Sequence, residues 1–174
     1  MVREQQDTKE DVGTLAATVG RPELDVAVSV EIEAESRRVL YALTIPEYME
    51  AWLQMPDTEK LRCSSDSKAP NSFHIDLYPA KAPRARIKGF CLRLDPDRII
   101  YLWRNPFTRS TGETMVDIHL MNGPGQCTIN LKHRGFCNME ESLWHSRMWH
   151  RSLDKLGGLM AMMNGSARTG ISAS

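Results

Sequence analysis

The strongest constraint on the fold is one amphipathic run near the C-terminal end. Trp149, Leu153, Leu156, Met160 and Met163 follow one another at spacings of 4, 3, 4 and 3, which places them on one stripe of a helix. Arg147, His150, Arg151 and Asp154 fall on the other face. Asn138 with Glu141 three residues later makes a capping box, and Glu140 and Glu141 suit the positive end of the helix dipole. Asn164-Gly165 reads as a left-handed stop. The helix so bounded, 138–163, spans roughly 37 Å at about 1.5 Å per residue, enough to cross a small domain. Its apolar stripe has to be covered, and the residues upstream must supply the cover.

Those residues alternate rather than repeat with helical period. Val26, Val28, Val30 and Ile32 share one face of an opening strand. Two short helices follow, Ser36–Leu43 and Pro46–Leu53, the second with proline in its first turn. From there to residue 134 the pattern is antiparallel sheet. Leu61–Ser65 is a weak strand, and Phe73, Ile75 and Leu77 alternate in the next. Residues 84–94 place Phe90, Leu92 and Leu94 on one face. Asp95-Pro96-Asp97-Arg98 is a type I turn with proline at its second position. Ile99, Tyr101 and Trp103 share the following face, Val116, Ile118 and Leu120 the one after, and Ile129, Leu131 and His133 the last. Asn122-Gly123-Pro124-Gly125 is a tight hairpin turn between the last two. The predicted class is α+β: a curved antiparallel sheet of about six or seven strands wrapped around the long C-terminal helix, with two short helices after the first strand. Gly157-Gly158 in mid-helix costs roughly 1 kcal/mol per glycine relative to alanine, and close helix–sheet approach is the expected reason.

The chain has 174 residues, one domain's worth, expected to run from 25 to 163. Residues 1–24 are polar, without periodic apolar positions, and read as a mobile arm; 164–174 read as a small, polar, disordered tail. Lys+Arg and Asp+Glu are 22 each, so no long-range field favours nucleic acid or an anionic membrane surface. No apolar run approaches the ~20 residues of a membrane span, and the first 24 residues lack a secretory pattern. Cys63, Cys91, Cys127 and Cys137 make no CxxC pair, and a reduced, cytoplasmic protein is expected.

Four stretches in this order resemble a known superfamily. They are Ala42-Leu43-Thr44-Ile45-Pro46-Glu47-Tyr48 leading to Trp52-Leu53, then Leu94-Asp95-Pro96-Asp97-Arg98-Ile99-Ile100-Tyr101-Leu102-Trp103-Arg104, then His133-Arg134-Gly135-Phe136, then Trp149-His150-Arg151-Ser152-Leu153-Asp154-Lys155-Leu156. Together they resemble the START-like, helix-grip superfamily (SRPBCC), in the branch named after the activator of the heat-shock-chaperone ATPase. The family usually has glycine before the helix tryptophan, where this chain has Met148. The resemblance implies a pocket between sheet and helix that holds an apolar small molecule. It also implies two other classes of role, a chaperone-activating interaction module and a cyclase or dehydratase-type enzyme.

On that resemblance the pocket wall comprises Phe73, Phe90, Leu92, Tyr101, Trp103, Ile118, Leu131, Trp149 and Leu153, with Trp52 near a mouth. Packed core is the competing reading of every one of them. His133 is the singular polar residue, pointing with Ile129 and Leu131 toward the helix, where a neutral imidazole could bond a ligand or move a proton. His133, Cys137, His145 and His150 do not have metal-site spacing, no cofactor is implied, and no nucleophile elbow or other catalytic set is present. The expected activity is therefore binding of a hydrophobic or lipid-like ligand without covalent chemistry. A chaperone is the possible protein partner, nucleic acid and membrane insertion are not expected, and the chain is a monomer or homodimer.

Overall fold

The structure, a computed structural model, describes residues 24–106 and 113–169. The elements are β1 (Val26–Ile32), α1 (Ser36–Thr44), α2 (Pro46–Trp52), β2 (Thr58–Ser65), β3 (Ser72–Pro79), β4 (Ala85–Leu94), β5 (Arg98–Arg104), β6 (Thr114–Gly123), β7 (Gln126–Arg134) and α3 (Met139–Thr169). The seven strands form one antiparallel sheet in the order β1-β7-β6-β5-β4-β3-β2. The two short helices carry the chain from one edge of the sheet to the other, and a meander of short turns brings it back until β7 pairs with β1. The result is the α+β helix-grip arrangement: a curled sheet closed on one face by α3.

Local chemistry accounts for the joints. Gly123 pairs with Gln126, so Pro124 and Gly125 alone turn the β6–β7 hairpin, with Gly125 at φ +72° as the third position of a type II turn requires. At the start of α3 the Asn138 side chain accepts the Glu141 backbone N–H at 2.9 Å, the capping bond read from the sequence. Trp149, Leu153, Leu156 and Met160 are buried, while Arg147, His150, Arg151 and Asp154 are exposed, so the stripe and its wet face stand where the spacing places them except at Met163, the last expected member, which is 49% exposed.

Four further expectations are corrected. The helix does not stop at Asn164-Gly165 but continues to Thr169. Asn164 is used as a tether instead, its amide bonding the Glu33 carbonyl and accepting from Arg38. Nor do the mid-helix glycines mark close approach: a Cβ on Gly157 would lie 4.0 Å from Ile32, and one on Gly158 would meet nothing within 4 Å. Phe90 and Leu92 do not line the helix side of β4. Ile87 and Gly89 face inward, and Leu92 falls at a bulge between Cys91 and Arg93. The strand alternates up to that bulge, but its inward residue is Gly89, which leaves room for the Phe73 ring, whose Cζ would be 2.0 Å from any Cβ added at 89. Finally, Trp52 is buried at the α1–α2 corner, its indole N–H donating to the Ala42 carbonyl at 2.8 Å.

The expected arm falls outside the described residues except for Leu24, which is buried in the core; in the expected tail, 170–174 lie outside them. All four cysteines are free thiols, with Cys137 exposed. No helix among the described residues is long and apolar enough to cross a membrane.

Candidate functional site

The inner face of the sheet carries Phe73 from β3, Tyr101 and Trp103 from β5, Ile118 from β6, and Leu131 and His133 from β7; α3 brings Trp149 and Leu153 against them. Eight of the eleven residues singled out from the sequence thus share one interior. Phe90 and Leu92 do not reach it, and Trp52 is buried in the same core at its α1–α2 corner. Phe73 meets Tyr101 (centroids 5.3 Å) and Trp103 (6.1 Å) edge to face, and Trp103 meets Trp149 (5.8 Å) tilted at 54°.

At the end of this interior next to the start of α3, polar groups are buried together. His133 is fully buried, and its ring contacts Phe136 (4.6 Å) and His145 (4.8 Å). The hydrogen bonds around it assign its protons. The Trp149 indole N–H donates to Nδ1 at 2.9 Å, so that nitrogen is the acceptor. Nε2 then carries the hydrogen and donates to the Thr114 hydroxyl at 2.7 Å, which donates on to the Trp103 carbonyl at 2.9 Å. Burial, and secondarily the neighbouring His145, hold the imidazole neutral, its pKa well below 6.5.

His145 is wired more loosely. Its Nδ1–H donates to the Glu141 carbonyl at 2.8 Å, leaving Nε2 to accept from the Asn105 amide at 3.4 Å, a long contact. Burial pushes its pKa down to about 4. Trp103 has no such arrangement: its indole N–H is buried and has no hydrogen-bond partner among the described residues. The Tyr101 hydroxyl, by contrast, donates to the Leu43 carbonyl at 3.0 Å.

This arrangement limits the chemistry. Proton transfer by His133 would break a bond to Trp149 or Thr114, since both ring nitrogens are engaged. The polar group left without a partner in this interior, among the described residues, is the buried Trp103 N–H, a hydrogen-bond donor. His133 and His145 are brought into ring contact while Cys137 is exposed, and the described residues contain no group of three or more His, Cys, Asp or Glu placed to hold a metal.

Asn105 and Thr114 are not singled out by the sequence, which gives Phe136 only within the His133-Arg134-Gly135-Phe136 stretch and His145 only as a metal ligand of the wrong spacing. A signal for three of them was present. Asn105 continues the parity of Tyr101 and Trp103, Thr114 that of Val116 and Ile118, and His145 lies one helical turn before Trp149.

Comparison with known proteins places this geometry. Among proteins of curated function none matches the chain. Solved structures with the same fold include protein CV1439 from Chromobacterium violaceum (20% identity, TM-score 0.64, 79% of this chain and 97% of that one). CalU16 from Micromonospora echinospora is similar at 17% identity (TM-score 0.56, 84% and 83%), and the Aha1 dimer from Colwellia psychrerythraea at 13% (TM-score 0.59, 78% and 95%). At these identities the likeness is one of fold. The model of one family matches residues 33–161, most of the chain, and the chain therefore belongs to the activator of Hsp90 ATPase homolog 1-like proteins.

Proposed function

We propose that this protein binds a small, largely apolar molecule between the inner face of the sheet and α3, without covalent chemistry. The molecule carries one hydrogen-bond acceptor at the Trp103 end. The observation that supports this most is the unpartnered Trp103 N–H. A buried donor left unsatisfied costs about 1–3 kcal/mol, which an occupant with an oxygen at that point would recover. Phe73, Tyr101, Ile118, Leu131, Trp149 and Leu153 form the apolar wall in this reading. His133, held by Trp149 and Thr114, fixes the Trp149 indole in place and does not grip the ligand through a free nitrogen.

The test is native mass spectrometry of the chain purified from its own host, followed by titration with N-phenyl-1-naphthylamine. A non-covalent small-molecule adduct, or saturable probe binding that quenches tryptophan emission, is expected. Absence of both overturns the reading.

A second reading has its own support. Tyr41, Tyr48, Leu159, Met160 and Met163 line an apolar groove of about 180 Å³ where α3 meets α1 and α2. Tyr48 is 55% exposed and Met163 49% exposed, more apolar surface than a helix junction needs to leave in water. A protein contact there, such as a chaperone or a second copy, corresponds to the interaction-module reading. It is weakened by Tyr48→Glu, a change that leaves interior probe binding untouched.

A further inference from the structure

The outer face of the sheet, opposite α3, carries a second arrangement. Pairing in register sets His74, Lys88 and Arg104 side by side across β3, β4 and β5, and sets Ser72, Phe90 and Leu102 in the row beside them. With Asp66 and Glu113 these residues line a cleft of about 180 Å³. Phe90, 40% exposed, presents its ring there because it follows the inward-facing Gly89 in the alternation of β4.

The charges in the cleft are unevenly matched. Glu113 pairs with Arg104 at 2.9 Å, and Asp66 accepts the Lys68 backbone N–H at 2.9 Å and lies 3.2 Å from His74 Nε2. Lys88 has no carboxylate within ion-pair distance among the described residues. His74 Nδ1 is buried without a partner. With Nε2–H given to Asp66, Nδ1 is a lone pair that takes a donor. A basic row with one spare cation thus lies beside an apolar row, with an unfilled acceptor at one end.

We propose that this cleft binds a small aromatic hydroxy-carboxylate. The ring lies on Phe90 and Leu102, the carboxylate meets Lys88 and Arg104, and the hydroxyl donates to His74 Nδ1. Adjacent strands are about 4.8 Å apart, so the row from His74 to Arg104 spans roughly 10 Å, a length suited to a para-substituted phenyl ring with a short acid arm. The site lies on the opposite side of the sheet from the interior proposed above, so either can fail without the other.

The experiment is a two-dimensional amide NMR titration of the full chain with 4-hydroxyphenylacetate, repeated with its neutral amide and with phenylacetate. Saturable shifts are expected at outer-face positions of β3, β4 and β5, with weaker binding of both control compounds. Lys88→Gln, at an exposed residue with no ion-pair partner, is expected to weaken the acid about three- to tenfold while leaving the melting midpoint unchanged. His74→Gln should abolish the preference for the hydroxylated acid. Equal binding of acid and amide, indifference to Lys88→Gln, or no saturable shift at these strands overturns the proposal. So do shifts confined to the surroundings of Trp103 and Trp149, which would instead support an interior ligand.

Discussion

Gly89→Ala tests the packing on which the interior wall depends. A methyl at 89 would begin 2.0 Å from Phe73 Cζ and 2.4 Å from Cε1, against 3.4 Å or more for ordinary contact, so the ring must move by over an ångström. It has little freedom to do so, because Tyr101 and Trp103 meet it edge-on at 5.3 and 6.1 Å and it is buried. Overpacking of this kind costs about 1–3 kcal/mol, and disturbing the aromatic pairs adds about 0.5–1.5 kcal/mol each. With two such pairs we therefore expect a loss of roughly 2–6 kcal/mol in urea denaturation. The cause is separable from strand propensity by a cycle. Phe73→Ala alone should cost about 3–5 kcal/mol, and adding Gly89→Ala to it should cost little more, since the methyl then enters vacated space. Additive losses, or a single-mutant loss below about 0.5 kcal/mol, would refute the argument that glycine at 89 exists to seat Phe73.

Other outcomes follow from the same structure. Gly158→Ala should stabilise by about 1 kcal/mol in the same denaturation, because the added methyl meets nothing within 4 Å on an exposed helix face. Trp149→Phe removes the donor to His133 Nδ1 and should cost about 2–3 kcal/mol, whereas Trp149→Ala should cost about 3–5 kcal/mol; near-neutrality of both would mean the α3 stripe is not packed. Stability against pH should be flat between about 7 and 8, fall between pH 6.5 and 4, and fall again above about 9, because burial holds the Cys63 thiol up at about 12 and the unfolded chain gives up that proton first. Burial holds His133 below the ordinary 6.5 and His145 near 4, so the unfolded chain takes up their protons first. His145 alone accounts for roughly 3 kcal/mol of that fall. The hydrogen bonds of Arg86 to Asp76 and of Arg98 to Asp117 hold those carboxyls below 3.8, and their contribution is lost only at more acid pH. A flat profile from 6.5 to 5 would contradict the buried histidine pair.

Most of the fold could be read because it rests on periodicity. Val26 to Ile32, Ile99 to Trp103, Val116 to Leu120 and Ile129 to His133 alternate without interruption, and all pack as the alternation predicts apart from the half-buried Val30. β4 was misread because its inward residue is glycine. An absent side chain gives no apolar signal, so Phe90, Leu92 and Leu94 look like the buried set while Phe73 fills the gap from the next strand. Asn164-Gly165 looks like a stop because sequence shows a helix terminator and not the Glu33 carbonyl and Arg38 side chain that occupy it. The polar end of the site was missed for a different reason. Asn105, Thr114 and His145 continue the inward periodicities by one step each, but polar residues at the end of an apolar run read as its boundary. Their burial depends on partners far along the chain, Asn105 on His145 and Thr114 on His133, pairings that no local pattern records.

The central claim, an interior ligand with its acceptor at the Trp103 N–H, is tested most directly by a two-by-two binding cycle. 2-Acetylnaphthalene and 2-ethylnaphthalene have nearly the same shape, and only the first offers an oxygen. Their affinities are measured by tryptophan quenching against the natural chain and against Trp103→Phe, which keeps an aromatic ring and deletes the donor. One hydrogen bond of about 1–1.5 kcal/mol predicts a coupling of roughly five- to tenfold: Trp103→Phe weakens the acetyl compound by that factor relative to the ethyl compound. Equal weakening of the two compounds, or no binding of either, would contradict the claim.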